Sequence, residues 1–289
     1  MSPADPQSTP QSGMDDQHAF WNEVQGPKWV RLQARIDPAL APVGAATIER
    51  LAPQPGEHVL DVGSGCGETS LSIAGRVAPG GTVTGADISR PMLELARSRA
   101  TQAGAAVTFI EANAQSHAFE ADSFDAVFSR FGVMFFDDFK AAFANLLRAT
   151  KPGGRMALGA WRTRKDNPWA MTAVPIARPY VELPPRPASG DPGQFAFEDE
   201  GFVRGILESS GWSKVGFERF DVDLRVGDSV DDAAEFLIEM GPVAAPLAAA
   251  DEKTRAAVGR ELRAALEAHA GPDGVHLGSS SWIITARKA

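Results

Sequence analysis

Alternation of apolar and polar positions organises the first half of the chain. Residues 57–62, EHVLDV, end in an apolar run of strand length, and Leu71, Ala74 and Ala78 then recur at helical spacing. GGTVTGAD (80–87) reads as a turn and a short strand. Ser89 can cap a helix that tolerates Pro91 in its first turn and carries Met92, Leu95, Ala96 and Arg99 on one face. AVTFIEA (106–112) predicts a third strand and FDAVFSR (124–130) a fourth. Asp137 or Asp138 can cap the next helix, which buries Phe139, Phe143, Leu146 and Leu147. TKPGG stops that helix, because proline disfavours helical backbone before it and glycines permit a turn. RMALGAW (155–161) is a fifth strand. Strands alternating with helices in this way predict an α/β fold, a mostly parallel sheet with helices on both faces. Ligands of such sheets bind at the carboxyl ends of the strands, so the loops after the first four strands are the places to look.

The second half reads differently. In RFDVDLRVG (219–227), Phe220, Val222, Leu224 and Val226 alternate with polar residues, as in a half-buried strand, and SWIITARKA at the C-terminus is a plausible partner. FEDEGFVRGILESSGW (197–212) predicts a helix ending at Gly211. DEKTRAAVGRELRAALEAHA is helical by composition and spacing. Residues 161–200, rich in proline and holding Trp169, Tyr180, Phe195 and Phe197, read as an irregular substrate-side insertion.

Composition narrows the class. The chain has 289 residues, 44% hydrophobic and 22% charged, as in a soluble globular protein, and no apolar run spans a bilayer. MSPADPQSTPQSGM (1–14) lacks the basic start and apolar centre of a signal peptide and reads as a disordered tail. Cys66 is the only cysteine, which excludes an intrachain disulfide and fits a cytoplasmic protein. A net charge of −9 argues against a nucleic-acid partner, since the densest basic cluster is the short WRTRK at 161–165. The five histidines show no metal-ligand spacing, so no metal is expected.

The candidate chemistry sits in VLDVGSGCGETS (59–70). A dinucleotide fingerprint G-x-G-x-x-G is met at Gly63 and Gly65, but its third position is Glu68; the glycine falls at Gly67 instead. A carboxylate there meets a pyrophosphate badly, and no lysine follows to make a phosphate loop. Asp61 adds a charge that repels phosphate and suits an ammonium. The loop therefore fits a ligand with a cationic amine and a small anion, the anion lying toward the helix N-terminus. Asp87, at the end of the second strand, can accept hydrogen bonds from both hydroxyls of a ribose. Asn113 and Gln115 follow the third strand, where an amide can read an adenine edge.

Taken with VTGADIS, EANAQ, FDAVFSRFGVMFF and LLRATKPGGRMAL, the glycine loop resembles the class I S-adenosylmethionine-dependent methyltransferases over about residues 55–160. The nearest resemblance is to the small-molecule group that includes ubiquinone/menaquinone C-methylase-like enzymes. The resemblance implies a Rossmann-like seven-stranded sheet completed by an antiparallel C-terminal pair, and S-adenosyl-L-methionine as cofactor. It implies that Asp61, Gly63, Ser64, Gly65 and Gly67 hold the methionine part, Asp87 the ribose, and Ile88, Met92, Asn113 and Ala114 the adenine. Asn113 departs from the aspartate that many relatives carry. Ser129 and Arg130 would face methionine and substrate, Ser129 being equally a satisfied core hydroxyl. It also implies a single domain over 15–289: an N-terminal helical cover (15–50), a cofactor core (55–160), and substrate-side elements (161–289). In the last of these, SVDDAAEFLIEMGP and the helix after it insert where relatives build a lid over the substrate, a surface helix pair being the alternative.

Trp21 and Trp29 in the cover can attract a sulfonium through their indole faces, or simply dock the segment. His18 and His117 are candidate general bases, and Arg130 can orient an acidic substrate or stabilise an anionic nucleophile. NPW at 167–169 resembles the N-P-P-[YF] motif of base-amino methylation, but it follows the fifth strand and lacks the second proline. The function implied is methyl transfer to a small-molecule acceptor. A non-catalytic binder of the same cofactor is the alternative. A nicotinamide-dependent reductase is disfavoured by Glu68 and by the missing Y-x-x-x-K pair, since Pro184 stands four residues after the only tyrosine, Tyr180. The acceptor, the atom methylated and the oligomeric state are left open.

Overall fold

The computed structural model describes residues 17–188 and 190–289; the tail expected at 1–14 lies outside them. A helix, α1 (Gln25–Leu51), follows a π-helical turn at Phe20–Val24. Then come β1 (His58–Val62), α2 (Glu68–Val77), β2 (Thr82–Asp87), α3 (Arg90–Ala103), β3 (Val107–Glu111), β4 (Phe124–Arg130), α4 (Phe139–Ala149) and β5 (Thr150–Trp161). Two short helices, α5 (Pro168–Met171) and α6 (Ala173–Ala177), precede α7 (Glu200–Ser209) and β6 (Ser213–Gly227). Helices α8 (Val230–Met240), α9 (Ala244–Ala249) and α10 (Glu252–Leu266) lead to β7 (Ala270–Gly271) and β8 (Gly274–Arg287).

The strands form one sheet in the order β3-β2-β1-β4-β5-β8-β6, with β7 paired to β8. Strands β1 to β5 run parallel, and β8 is antiparallel to both β5 and β6. The expected α/β architecture is therefore present, with β7 as an added hairpin edge. Val59–Val62 and Ala126–Ser129 are buried without a break, because helices cover both faces of the central strands. Alternation divides the two layers. Val59, Phe128 and Ala157 pack with Ile48 and Leu51 of α1 and Ile73 of α2, whereas Leu60, Val62 and Val127 face the cluster holding Phe143 and Leu146 of α4. No helix among the described residues is long and apolar enough to cross a membrane.

Some local expectations shift. TKPGG does not end α4 in a turn; it forms the start of β5, pairing Thr150 with Phe124, and the register then slips between Phe124 and Ala126. The inward face of α2 is Ser70, Ile73, Ala74 and Val77 rather than Leu71 and Ala78, because the helix starts at Glu68 and fixes the phase. In α3, Leu93 replaces Leu95 on the buried face. Ser89 occupies the cap position and its carbonyl accepts from Leu93 N–H at 3.0 Å, but its side chain does not cap the helix; the hydroxyl donates to the Trp21 carbonyl, 2.8 Å away. Asp138 does cap α4, accepting from Ala141 N–H at 2.9 Å.

Candidate active site

The loop between β1 and α2 meets the loop after β4 backbone to backbone. Gly63 has φ +70°, and a Cβ there would lie 2.6 Å from the Gly132 Cα. Gly67, at φ +83°, starts α2, and a Cβ would strike the Phe109 ring at 2.8 Å. Both positions need glycine, for backbone angle and for space. Asp87 ties this loop to the next: its Oδ2 accepts from Gly65 N–H at 2.8 Å and its Oδ1 from Ser89 N–H at 2.9 Å. Burial raises the Asp87 carboxyl above its ordinary value, against the pull of these N–H groups.

A cavity of about 1110 Å³ opens over these loops. Gly63, Ser64, Gly65, Asp87, Ile88 and Met92 line it, with Asn113, Ala114 and Gln115 after β3 and Trp21 and Trp29 from the N-terminal segment. Ser64 Oγ is buried without a partner among the described residues. Trp21 sits edge-on to Trp29 and to Phe135, with ring centroids 6.3 and 5.3 Å apart. The segment is pinned by Asn22, a residue the sequence did not single out. Its Nδ2 donates to the Ile88 carbonyl at 2.9 Å and its Oδ1 accepts from Arg90 N–H at 2.9 Å.

Other expected residues lie elsewhere. Gly67 and Ser129 do not line the cavity; Ser129 is fully buried and its hydroxyl donates to the Val62 carbonyl at 2.7 Å, a structural bond. Asp61 also stands behind the wall. Its Oδ2 accepts from Thr69 Oγ1 at 2.8 Å and Ser70 Oγ at 2.6 Å, while Oδ1 has no partner among the described residues. Thr69 lines the cavity, so the Asp61 charge reaches it through that hydroxyl. Desolvation pushes the Asp61 carboxyl up to about 6, partly offset by the two hydroxyls and by Arg130. A carboxyl raised from 3.8 to about 6 binds its proton more tightly in the folded state, so its contribution to stability is complete below 3.8 and lost as pH rises through about 6. Denaturant melts of wild type and Asp61→Asn across that interval should show the wild type losing stability relative to the variant. Parallel curves would contradict the assignment.

The base candidates separate. His117 does not line the cavity; its ring packs edge-on against Phe119, and its carbonyl holds Asn145. That placement corrects its expected role. His18 lines the cavity, but beside Glu111 (3.9 Å) at the end of β3, the far edge of the sheet from β5. Arg130 lines the wall with its guanidinium committed to Glu68, Nη1 to Oε2 2.6 Å. The acid that breaks the dinucleotide pattern thus has a partner at the end of β4. Its charge is shared, so a free anion-binding role for Arg130 competes with this pair.

The 161–200 segment does border the cavity, through Trp161, Arg164, Trp169 and Phe195 among others. Of the expected lid, α8 supplies Phe236 and Met240, whereas α10 contributes no lining and backs α8 with Arg263 bound to Asp231. Helix α8 is strapped to α1 by Arg31–Glu239 (2.8 Å) and Arg35–Asp232 (2.9 Å). Two ion pairs therefore hold α8 against the N-terminal helix.

A glycine loop, an acid after β2 and a cavity over the loops that follow the parallel strands form the kind of crevice in which open α/β sheets bind ligands. Residues 59–154 match the family described as a methyltransferase domain, which supports a class I, S-adenosylmethionine-dependent methyltransferase core. An uncharacterised protein of Mycobacterium tuberculosis is 34% identical over 170 residues, covering 58% of each chain. The match therefore spans less than two thirds of that relative's length. Nocamycin O-methyltransferase of Saccharothrix syringae is 29% identical over 193 residues, 64% of this chain and 69% of that one. Among solved structures, a Haemonchus contortus phosphoethanolamine N-methyltransferase complexed with S-adenosylhomocysteine shares the fold. It has a TM-score of 0.52 and 22% identity, covering 85% of this chain and 52% of the other.

Proposed function

We propose that this chain transfers the methyl group of S-adenosylmethionine to a small-molecule acceptor. The observation that carries the reading is the cradle where Gly65 and Asp87 are bonded to each other beneath the cavity floor. The residues present fit the group. Ser64 Oγ has unspent hydrogen-bonding capacity, and the Gly63–Gly132 approach leaves bare backbone where a side chain would stand. Gly63, Ser64 and Gly65 would hold the methionine part, Asp87 the ribose, and Ile88, Met92, Asn113, Ala114 and Gln115 the adenine.

When bound, S-adenosylmethionine supplies an electrophilic methyl on a sulfonium and ends as the neutral thioether S-adenosylhomocysteine. The chain's part is to hold the acceptor in line at near-attack distance, which can supply several kcal/mol, roughly 7–11 for ideal orientation. Trp21, Trp29 and the π-helical turn exclude water from one side, and α8 from the other. Among the described residues the one lining histidine, His18, lies at the β3 edge, so we assign no general base. We place the protein in the cytoplasm, with no nucleic-acid partner. The single thiol, Cys66, is buried and pushed up to about 12, and so behaves as a core side chain.

The test is transfer of label from methyl-labelled S-adenosylmethionine into small hydroxylated ring compounds. Acceptor-dependent release of labelled product supports the proposal. Cofactor binding with no transfer across a broad acceptor panel would favour a non-catalytic binder instead.

A further inference from the structure

We propose, resting on the reading above, that the acceptor is a neutral, largely apolar ring compound seated against Phe131, and that Phe131 sets this choice. Phe131 follows β4 directly and has φ +65°, a left-handed backbone that favours glycine. Its N–H donates to the Gly159 carbonyl at 2.8 Å, which holds it there. A glycine would make the same turn without strain, so the ring has a use beyond the turn. It lines the cavity and stacks on Trp161 at 4.0 Å and 8°; Trp161 in turn meets Trp169 at 4.8 Å. Leu224, Val226 and Phe236 line the same cavity.

The carboxylates bordering that part all have protein partners. Glu198 pairs with Arg164 (3.3 Å) and Arg186, Asp199 caps α7 through Phe202 N–H (2.8 Å), and Asp191 accepts from Ala188 N–H (2.7 Å). An ammonium acceptor must compete with two arginines for Glu198 and with a backbone N–H for Asp199 and Asp191. Asp137 has no partner among the described residues, but its neighbour Asp138 is bonded to Gln115, which puts it with the loop after β3. The Phe131 and Trp161 faces close on each other, which leaves no gap between those two rings for a quaternary ammonium. An acidic acceptor meets Arg178, exposed and in no ion pair among the described residues, and the Arg164–Arg186 pair that shares the single carboxylate of Glu198. What remains is apolar wall, which favours an uncharged ring by burial and ring contact.

The test is calorimetric titration of the S-adenosylhomocysteine-loaded chain with 2-naphthol, phosphoethanolamine and glycine. We expect 2-naphthol to bind and the two charged amines to bind at least tenfold more weakly, about 1.4 kcal/mol or more. Phe131→Ala should weaken 2-naphthol about tenfold with S-adenosylhomocysteine affinity unchanged, and Phe131→Leu should fall between. Equal or tighter binding of either amine, or unaltered 2-naphthol affinity in Phe131→Leu, would overturn the proposal. If Phe131→Ala loses its fold, the wild-type panel and Phe131→Leu decide. Failure of S-adenosylhomocysteine to bind the unaltered chain would reject the proposed function itself, a separate outcome.

Discussion

Gly132→Ala will cost this chain both stability and cofactor binding. The added Cβ would stand 2.7 Å from the Gly63 Cα and 2.7 Å from the Val62 carbonyl, with Ser129 Oγ at 3.1 Å. None of these neighbours is the free end of a flexible side chain. The backbone after β1 must move, and it is the same backbone that floors the cavity. Overpacking of this kind costs about 1–3 kcal/mol of stability. A shift of the loop by about 1 Å is expected to lower turnover roughly 100-fold. Thermal melts and S-adenosylhomocysteine titration read the two effects separately. A variant with wild-type melting and affinity would mean that the Gly63–Gly132 approach is not needed.

Asp87→Ala is expected to weaken S-adenosylhomocysteine by about 10- to 100-fold. The carboxylate accepts from Gly65 and Ser89 N–H, and in the proposed complex from ribose hydroxyls as well. Hydrogen bonds to a charged group contribute about 1.5–3 kcal/mol, and each 1.4 kcal/mol is tenfold in affinity. Alanine also strands two backbone donors, so the glycine loop loses its tie to the loop after β2. Asp87→Asn keeps one acceptor and turns donors toward the other N–H, so its loss should be intermediate. If Asp87→Ala binds as wild type does, the ribose assignment is wrong even where the fold is right.

The sheet was legible because β1, β2, β3 and β4 are short, apolar and punctuated by turns. Strand period and loop residues gave β4 at the bounds the structure has, 124–130. The long strands were less legible. β6 runs from Ser213, but its first half is only partly buried, so apolar alternation marks it clearly only from Phe220 on. β5 starts inside TKPGG because pairing with Phe124 overrides local turn chemistry. At the site, glycines and Asp87 could be read from spacing, since each answers a backbone need in a fixed order. Asn22, Phe131 and Trp161 could not. Their roles depend on which loops the sheet brings together, and a left-handed phenylalanine leaves no mark in a sequence. Glu68 was legible as an exception to a pattern, and its partner Arg130 became visible only when α2 and β4 were set side by side. His117 shows the converse: the residue type suits a base, yet its ring is turned to Phe119.

The central claim is that this cradle takes S-adenosylmethionine. The most direct test is calorimetric titration of the purified chain with S-adenosylhomocysteine, with NADH in a parallel cell. The account predicts binding of S-adenosylhomocysteine in the micromolar range and none of NADH. Binding of NADH instead, or of neither, would contradict it.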